Sequence, residues 1–239
     1  MNQCTSRTSF ISWLALVLFL LAAPRTLYAT SVLAVDMRQL VNEAAVIFEG
    51  EVIASEARWN AQRTSIFTHV SFRVIDVIKG SLRAETVTLT FAGGSVDDLT
   101  LQVDSMTYPI PGERGIYFLE DPARQQVNPL LGWSQGHFKI TLDQKGRERV
   151  LTAGNSPVLA VEVDAEAKVG AAKQRSKEAR GMSNDVPLSQ GDALGLRLGR
   201  GPDDSEPGLD KASFKRALLG LLPADSRDGS SEETPVNPK

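Results

Sequence analysis

Two histidines, one cysteine and a Gly-x-Ser-x-Gly pentapeptide are where nucleophilic or metal chemistry could run in this 239-residue chain. The pentapeptide is Gly132-Trp133-Ser134-Gln135-Gly136. In an α/β-hydrolase such a turn joins a strand to a helix, and the triad follows in the order serine, acid, histidine. Here the residues after Gly136 alternate as a strand does, and His137 follows Ser134 with no acid between them. A chymotrypsin-like order of His69, then Asp97 or Asp104, then Ser134 is formally open, but those enzymes use two barrels and this chain has residues for one. A hydrolase centred on Ser134 is therefore the alternative reading, and no catalytic residue is assigned. Gly132 and Gly136 are expected to make a tight turn into the last strand, with Trp133 packed on its end.

Metal and cofactor chemistry have little to stand on. Alternation places His69 and His137 on polar strand faces, and no His-Glu-x-x-His occurs. Asp97, Asp98 and Asp104 read as a solvated acidic loop, since they lack the alternating oxygen donors of a calcium loop. Gly191, Gly195 and Gly199 carry Gly-x-x-x-Gly spacing, yet Asp192 and Arg197 among them deny the apolar context of a membrane helix pair. That stretch reads as linker. Cys4 alone supports neither a disulfide framework nor a multi-cysteine metal site. No metal and no cofactor is expected.

The segments that must position any site begin after residue 29. Arg7, an apolar run over residues 10–23 broken only by Ser12, and then Pro24 and Leu27-Tyr28-Ala29 follow the order of a secretory signal peptide. A run of about 14 residues is short of the roughly 20 that span a bilayer. Export is therefore expected, periplasmic or extracellular, with no membrane span after cleavage at residue 29 or, alternatively, 34. Cleavage at 29 removes Arg7, Arg25 and Cys4, leaving 24 basic residues against 29 acidic ones, a charge of −5, and no thiol. A sequence pI near 5.5 argues against nucleic acid as the partner.

Ten of the fifteen aromatics fall between Phe48 and Phe138, which locates the core. Period-two alternation marks strands there. Val46, Phe48, Gly50 and Val52 share one face; Val70, Phe72 and Val74 share another; Val87, Leu89 and Phe91 follow; then come the apolar residues 116–119, and Phe138, Ile140 and Leu142. Ile75-Asp76-Val77-Ile78 breaks the alternation, so a bulge or bend is expected. Asp36 can cap a short helix bearing Leu40, Val41 and Ala44. Residues 92–114 form a long loop. Residues 30–156 thus form a mainly β domain, a small five- to six-stranded OB-like barrel. Residues 157–239 read as a flexible charged tail, with one possible edge strand at residues 158–163. A helix over residues 209–222 presents Leu209, Phe214, Ala217, Leu218 and Leu221. Docking on its own domain is the default, since an isolated helix that short is marginal in water, and a partner groove or a membrane surface are the other options.

The order of Val46-Ile47-Phe48-Glu49-Gly50-Glu51-Val52, the long strand ending Lys79-Gly80, Gly93-Gly94, Pro111-Gly112-Glu113-Arg114 and Gly132-Trp133-Ser134-Gln135-Gly136-His137 resembles an uncharacterised family of exported bacterial proteins. It is also similar to the OB-like domains of netrins and metalloproteinase inhibitors. The resemblance covers residues 36–153, with a weaker echo in the helix near residue 214. It implies a barrel; the long loop on that barrel and the lack of a catalytic constellation lead to the expectation of a binding role toward a protease or another exported or envelope protein. The inhibitors engage their protease through an N-terminal cysteine, and none remains here to carry that mechanism. Gly93 and Gly94, with the loop that follows, together with Trp133 and His137, are the expected binding residues. A passive envelope scaffold held by the terminal helix is the third reading.

Overall fold

A computed structural model describes residues 32–121, 124, 126–162, 188, 189, 191–199 and 208–223, all of which fall in one unit spanning residues 31–239. The expected signal peptide lies outside the described residues. The elements in chain order are β1 (Val32–Leu33), α1 (Met37–Glu43), β2 (Val46–Trp59), β3 (Ile66–Lys79), β4 (Thr86–Ala92), β5 (Gly94–Val96), β6 (Leu99–Leu101), β7 (Arg114–Leu119), β8 (His137–Leu142), β9 (Glu148–Thr152), β10 (Val158–Val161), β11 (Leu188–Ser189), β12 (Leu196–Leu198) and α2 (Lys211–Leu221). A 3-10 turn, Trp133–Gly136, leads into β8.

The fold is mainly β. Its centre is a six-stranded antiparallel sheet in the order β4-β3-β2-β7-β8-β9. The six strands match the number the alternation implies. Closure does not follow: among the described residues no ladder joins β4 to β9, so the sheet is an open, curled one. The curl comes from β2 and β3, each 14 residues long. Their register slips three times: Ile47 pairs with Lys79 but Phe48 with Val77, Glu49 with Asp76 but Gly50 with Val74, and Val52 with Phe72 but Ala54 with Ser71. The residues passed over are Ile78, Ile75 and Ile53. Two of these slips fall inside the run whose alternation fails in the sequence. An extra residue bends its strand and is turned out of the ladder, which is why Ile53 and Ile75 are among the exposed large apolar residues.

The sheet buries both faces against different partners. On one face Ile47, Ile116, Phe118, Phe138, Ile140 and Val150 pack under Leu40 and Val41 of α1 and Phe214, Leu218 and Leu221 of α2. On the other, Phe48, Val52, Val70, Phe72, Leu89, Phe91, Tyr117 and Leu119 form a second core with Leu130, flanked by Met106 and Tyr108 from the long loop. Gly50 and Gly115 face each other across β2 and β7. The rings of Phe48 and Tyr117 lie over them, within 2.7 and 2.9 Å of where a Cβ would stand. Those rings meet each other at 5.4 Å and Phe72 at 5.7 and 4.7 Å.

Asp36 caps α1 as expected, its Oδ1 accepting from Arg38 N at 2.8 Å. Asp210 caps α2 in the same way, accepting from Ser213 N at 2.9 Å. The long loop is partly ordered into the β5–β6 hairpin. Part of the segment read as linker and tail is core: β12 pairs with β10, Asp36 bridges Leu194, and Ala193 is buried. Ala193, Leu194, Leu196 and Leu198 supply enough apolar surface there, although no aromatic advertises it. Residues 163–187, 190, 200–207 and 224–239, also assigned to the tail, lie outside the described residues.

Candidate functional site

The residues singled out by sequence do not converge. Gly93 and Gly94 join β4 to β5 with φ of 91° and 130°. A Cβ on Gly93 would stand 2.5 Å from the Tyr108 hydroxyl, and one on Gly94 2.4 Å from Thr68 Oγ1. Both glycines are demanded by close packing of the long loop on β3. Trp133 sits in the turn before β8 with φ of 60°, where Gly132 also has a left-handed φ of 65°. Ser134 donates its hydroxyl to Gly191 O at 3.1 Å. A Cβ on Gly136 would come 2.2 Å from Leu131 O. The Gly-x-Ser-x-Gly spacing therefore encodes a turn into a strand and not a strand-to-helix elbow. Gly136→Ala is expected to cost about 3 kcal/mol, the upper range for forced overpacking. Ser134→Ala should cost about 1 kcal/mol, the worth of one hydrogen bond. Urea unfolding of the two variants checks the order.

His137 corrects the sequence reading. Alternation puts it on a polar face, but it is 1% exposed, packed against Tyr117 and Glu113. Its ring stacks on Tyr117 at 4.9 Å and 23°. Its Nε2 lies 2.8 Å from Glu113 Oε1, an ion-pair distance away from the line of a good hydrogen bond. Tyr117 Oη approaches the same oxygen at 3.5 Å. Burial, with the Glu113 charge adding to it, pushes the Tyr117 hydroxyl far above its ordinary range. This cluster is enclosed, so its ordinary role is to hold the loop onto the sheet. His69 is half-buried on the opposite side of β3 from the core, its Nδ1 3.2 Å from Thr90 Oγ1. Asp97, Asp98 and Asp104 stay in the loop, and among the described residues no cluster of three or more His, Cys, Asp or Glu is placed to hold a metal ion.

Two arrangements that sequence reasoning missed stand out. The first is a buried carboxylate. Glu49, on β2 and 1% exposed, points to the helix-covered face. Arg114 Nη2 reaches its Oε1 at 2.8 Å, Lys211 Nζ reaches the same oxygen at 3.1 Å, and Lys215 pairs with Oε2. Glu148 joins Arg114 at 2.8 Å and Lys211 at 2.6 Å, and Asp76 joins Lys215 at 2.8 Å. Three cations thus meet three carboxylates where α2 crosses the sheet. Burial alone would raise the Glu49 carboxyl, but hydrogen bonds from Lys215, Lys211 and Arg114 outweigh it and hold it below its ordinary value. Little in the sequence signals it, because Glu49 shares its strand face with Glu51 and reads as a polar position.

The second is a groove of about 550 Å³ at the open edge of the sheet. Val87, Thr88, Leu89 and Thr90 of β4 form its floor, Trp59, Phe67 and His69 one side, and Leu119, Glu120, Asp121, Arg124 and Pro129 the other. It lies between β4 and the segment that follows β7. The register fixes the backbone on that edge. Val74 N donates to Glu85 O and Gly93 N to Ile66 O, so odd-numbered residues of β4 bond to β3. The N–H and C=O groups of Thr86, Thr88 and Thr90 point outward and have no partner among the described residues. Ala92 also points outward and is taken, its N–H donating to Val127 O at 2.8 Å.

Comparison with protein-family models, with curated proteins and with solved structures gave no match to this chain. Among the described residues no helix is long and apolar enough to cross a membrane.

Proposed function

We propose that the protein is an exported, non-enzymatic interaction module that holds a segment of another exported or envelope protein in the groove along β4. One observation carries this reading: an aromatic-walled groove coincides with a strand edge whose outward backbone groups have no partner among the described residues. Exposed edges are a liability that proteins ordinarily blunt with charge, proline or cover. Among the described residues the lane Thr86, Thr88, Thr90 has none of the three. Export rests on the order of charged, apolar and small residues in the first 29 positions. The Ser134 hydroxyl is engaged with a backbone carbonyl and His137 lies against Glu113, which favours the binding reading over a hydrolase centred on Ser134.

The test places a photo-crosslinking phenylalanine at Thr88, and separately at Lys145 in the far β8–β9 turn, in the full chain expressed in its own host. The expected result is a discrete cross-linked product from position 88, at least tenfold above that from 145. Equal yields from both positions would overturn the proposal.

A further inference from the structure

We infer that the groove is filled by strand addition: a segment of about five residues from a partner pairs its backbone with β4, presents apolar side chains at alternate positions and carries a lysine or arginine toward Glu120. This deepens the proposed function and rests on it. Three observations lead there. The outward N–H and C=O of Thr86, Thr88 and Thr90 form a lane whose spacing suits another strand and nothing globular. Five residues of extended chain measure roughly 17 Å. The lane has a stop, because the Ala92 N–H is already bonded to Val127 O and a guest can pair no further.

Alternation in the guest follows from the pleat. Residues beside Val87 and Leu89 would face the apolar side, where Leu89 and Leu119 belong to the inner core. Residues beside Thr88 and Thr90 would face the side from which Phe67 and His69 project. Main-chain bonds give affinity in this recognition mode, and alternate side chains give specificity. Charge narrows the guest further. Glu120 lines the groove, and its carboxylate has no ion-pair partner among the described residues. A second copy of this chain is disfavoured on the same ground, since its β4 carries no lysine or arginine to meet Glu120.

The experiment selects a displayed library of random heptapeptides on the full-length protein, then repeats the selection on Thr88→Pro and Glu120→Gln. Proline at 88 removes an outward N–H without breaking a bond to β3, so folding is retained. Far-ultraviolet circular dichroism and an unchanged melting temperature verify that. Enriched peptides are expected to be proline-free, with alternating apolar residues and at least one Lys or Arg. Their affinity should fall at least tenfold on Thr88→Pro, and the basic preference should vanish on Glu120→Gln. Three results would overturn strand addition: no enrichment, proline-rich or unpatterned winners, or winners that bind Thr88→Pro equally well. Position-88 cross-linking that persists alongside any of them would leave the interaction module standing and remove only the strand mode. Concentration-dependent dimerisation that protects the Thr88 amide from exchange would replace the guest with a second copy.

Discussion

Glu49→Gln is expected to destabilise the protein by about 3–5 kcal/mol, the range for removing one partner of a buried, hydrogen-bonded ion pair. The substitution keeps the shape and deletes the charge. Arg114, Lys211 and Lys215 then face one another with only Glu148 and Asp76 to balance them, and Asp76 is on the rim. At roughly 2–4 °C per kcal/mol for a chain this size, the melting temperature should drop by about 10 °C. Replacing Glu49, Lys211 and Lys215 together with methionine should recover most of the loss, because an apolar trio escapes the desolvation that the ions must offset. A loss below about 1 kcal/mol on Glu49→Gln would show the cluster to behave as a surface pair.

The same carboxylate sets the acid response. Its folded pKa lies below the ordinary value of 4.5, and that of Glu148 is lowered as well, chiefly by the hydrogen bond from Lys211. A group depressed on folding contributes stability that is complete above its unfolded pKa and is lost as pH falls through the folded one. The parent protein should therefore keep a flat melting temperature from pH 7 to about 5 and lose stability progressively below about 4.5. In Glu49→Gln that decline should be shallower, since one of the groups that drives it is gone. Calorimetry at pH 7, 5, 4 and 3 measures both slopes. An unchanged slope in the variant would place the acid sensitivity elsewhere.

What could be read in the sequence divides by range of interaction. Alternation is local, so β2, β3, β4, β7 and β8 are legible, as is the disruption at Ile75 and Ile78, where two apolar positions outnumber the faces available. Caps are local too, and Asp36 declares itself. Pairing across the chain is not local. Nothing near Glu49 says that Lys211 and Lys215, some 160 positions away, will neutralise it. Glu49 alternates with Ile47 and Glu51, so its face reads as polar and gives no notice of burial. His137 misleads for the same reason: its neighbours Phe138 and Ile140 define one covered face, but Tyr117 and Glu113, against which it packs, lie some twenty residues upstream. The residues around Leu194 escape notice because aliphatic side chains in a Gly- and charge-rich context fail the compositional test for a core. They are held by β10 and α1, which the segment itself cannot show. The open edge is the least legible feature, since it is the absence of a ladder and sequence patterns report strands, not their neighbours.

Phe214→Ala should remove about 3–5 kcal/mol, the cost of truncating a fully buried phenylalanine. Phe214 is 0% exposed and meets Phe138 at 5.0 Å, so the substitution empties a space between α2 and the centre of the sheet. How the loss is distributed matters more than its size. An 11-residue helix has little stability of its own, and α2 is held by the apolar contacts of Phe214, Leu218 and Leu221 together with the cluster around Glu49. Weakening the first hold throws the whole load on the second. Release of α2 would then take Lys211 and Lys215 away from Glu49 and uncover it beside Arg114. The two holds are thus coupled, and Phe214→Ala combined with Glu49→Gln should cost less than the sum of the single losses, because a helix already detached cannot be detached again. Amide exchange gives the complementary view. Protection over residues 211–221 should fall at least a hundredfold in Phe214→Ala, while β2 and β3 keep theirs until global unfolding. Strict additivity, or uniform loss of protection across both segments, would mean that α2 and the sheet unfold as one unit and that the terminal helix is as integral to the domain as its longest strands.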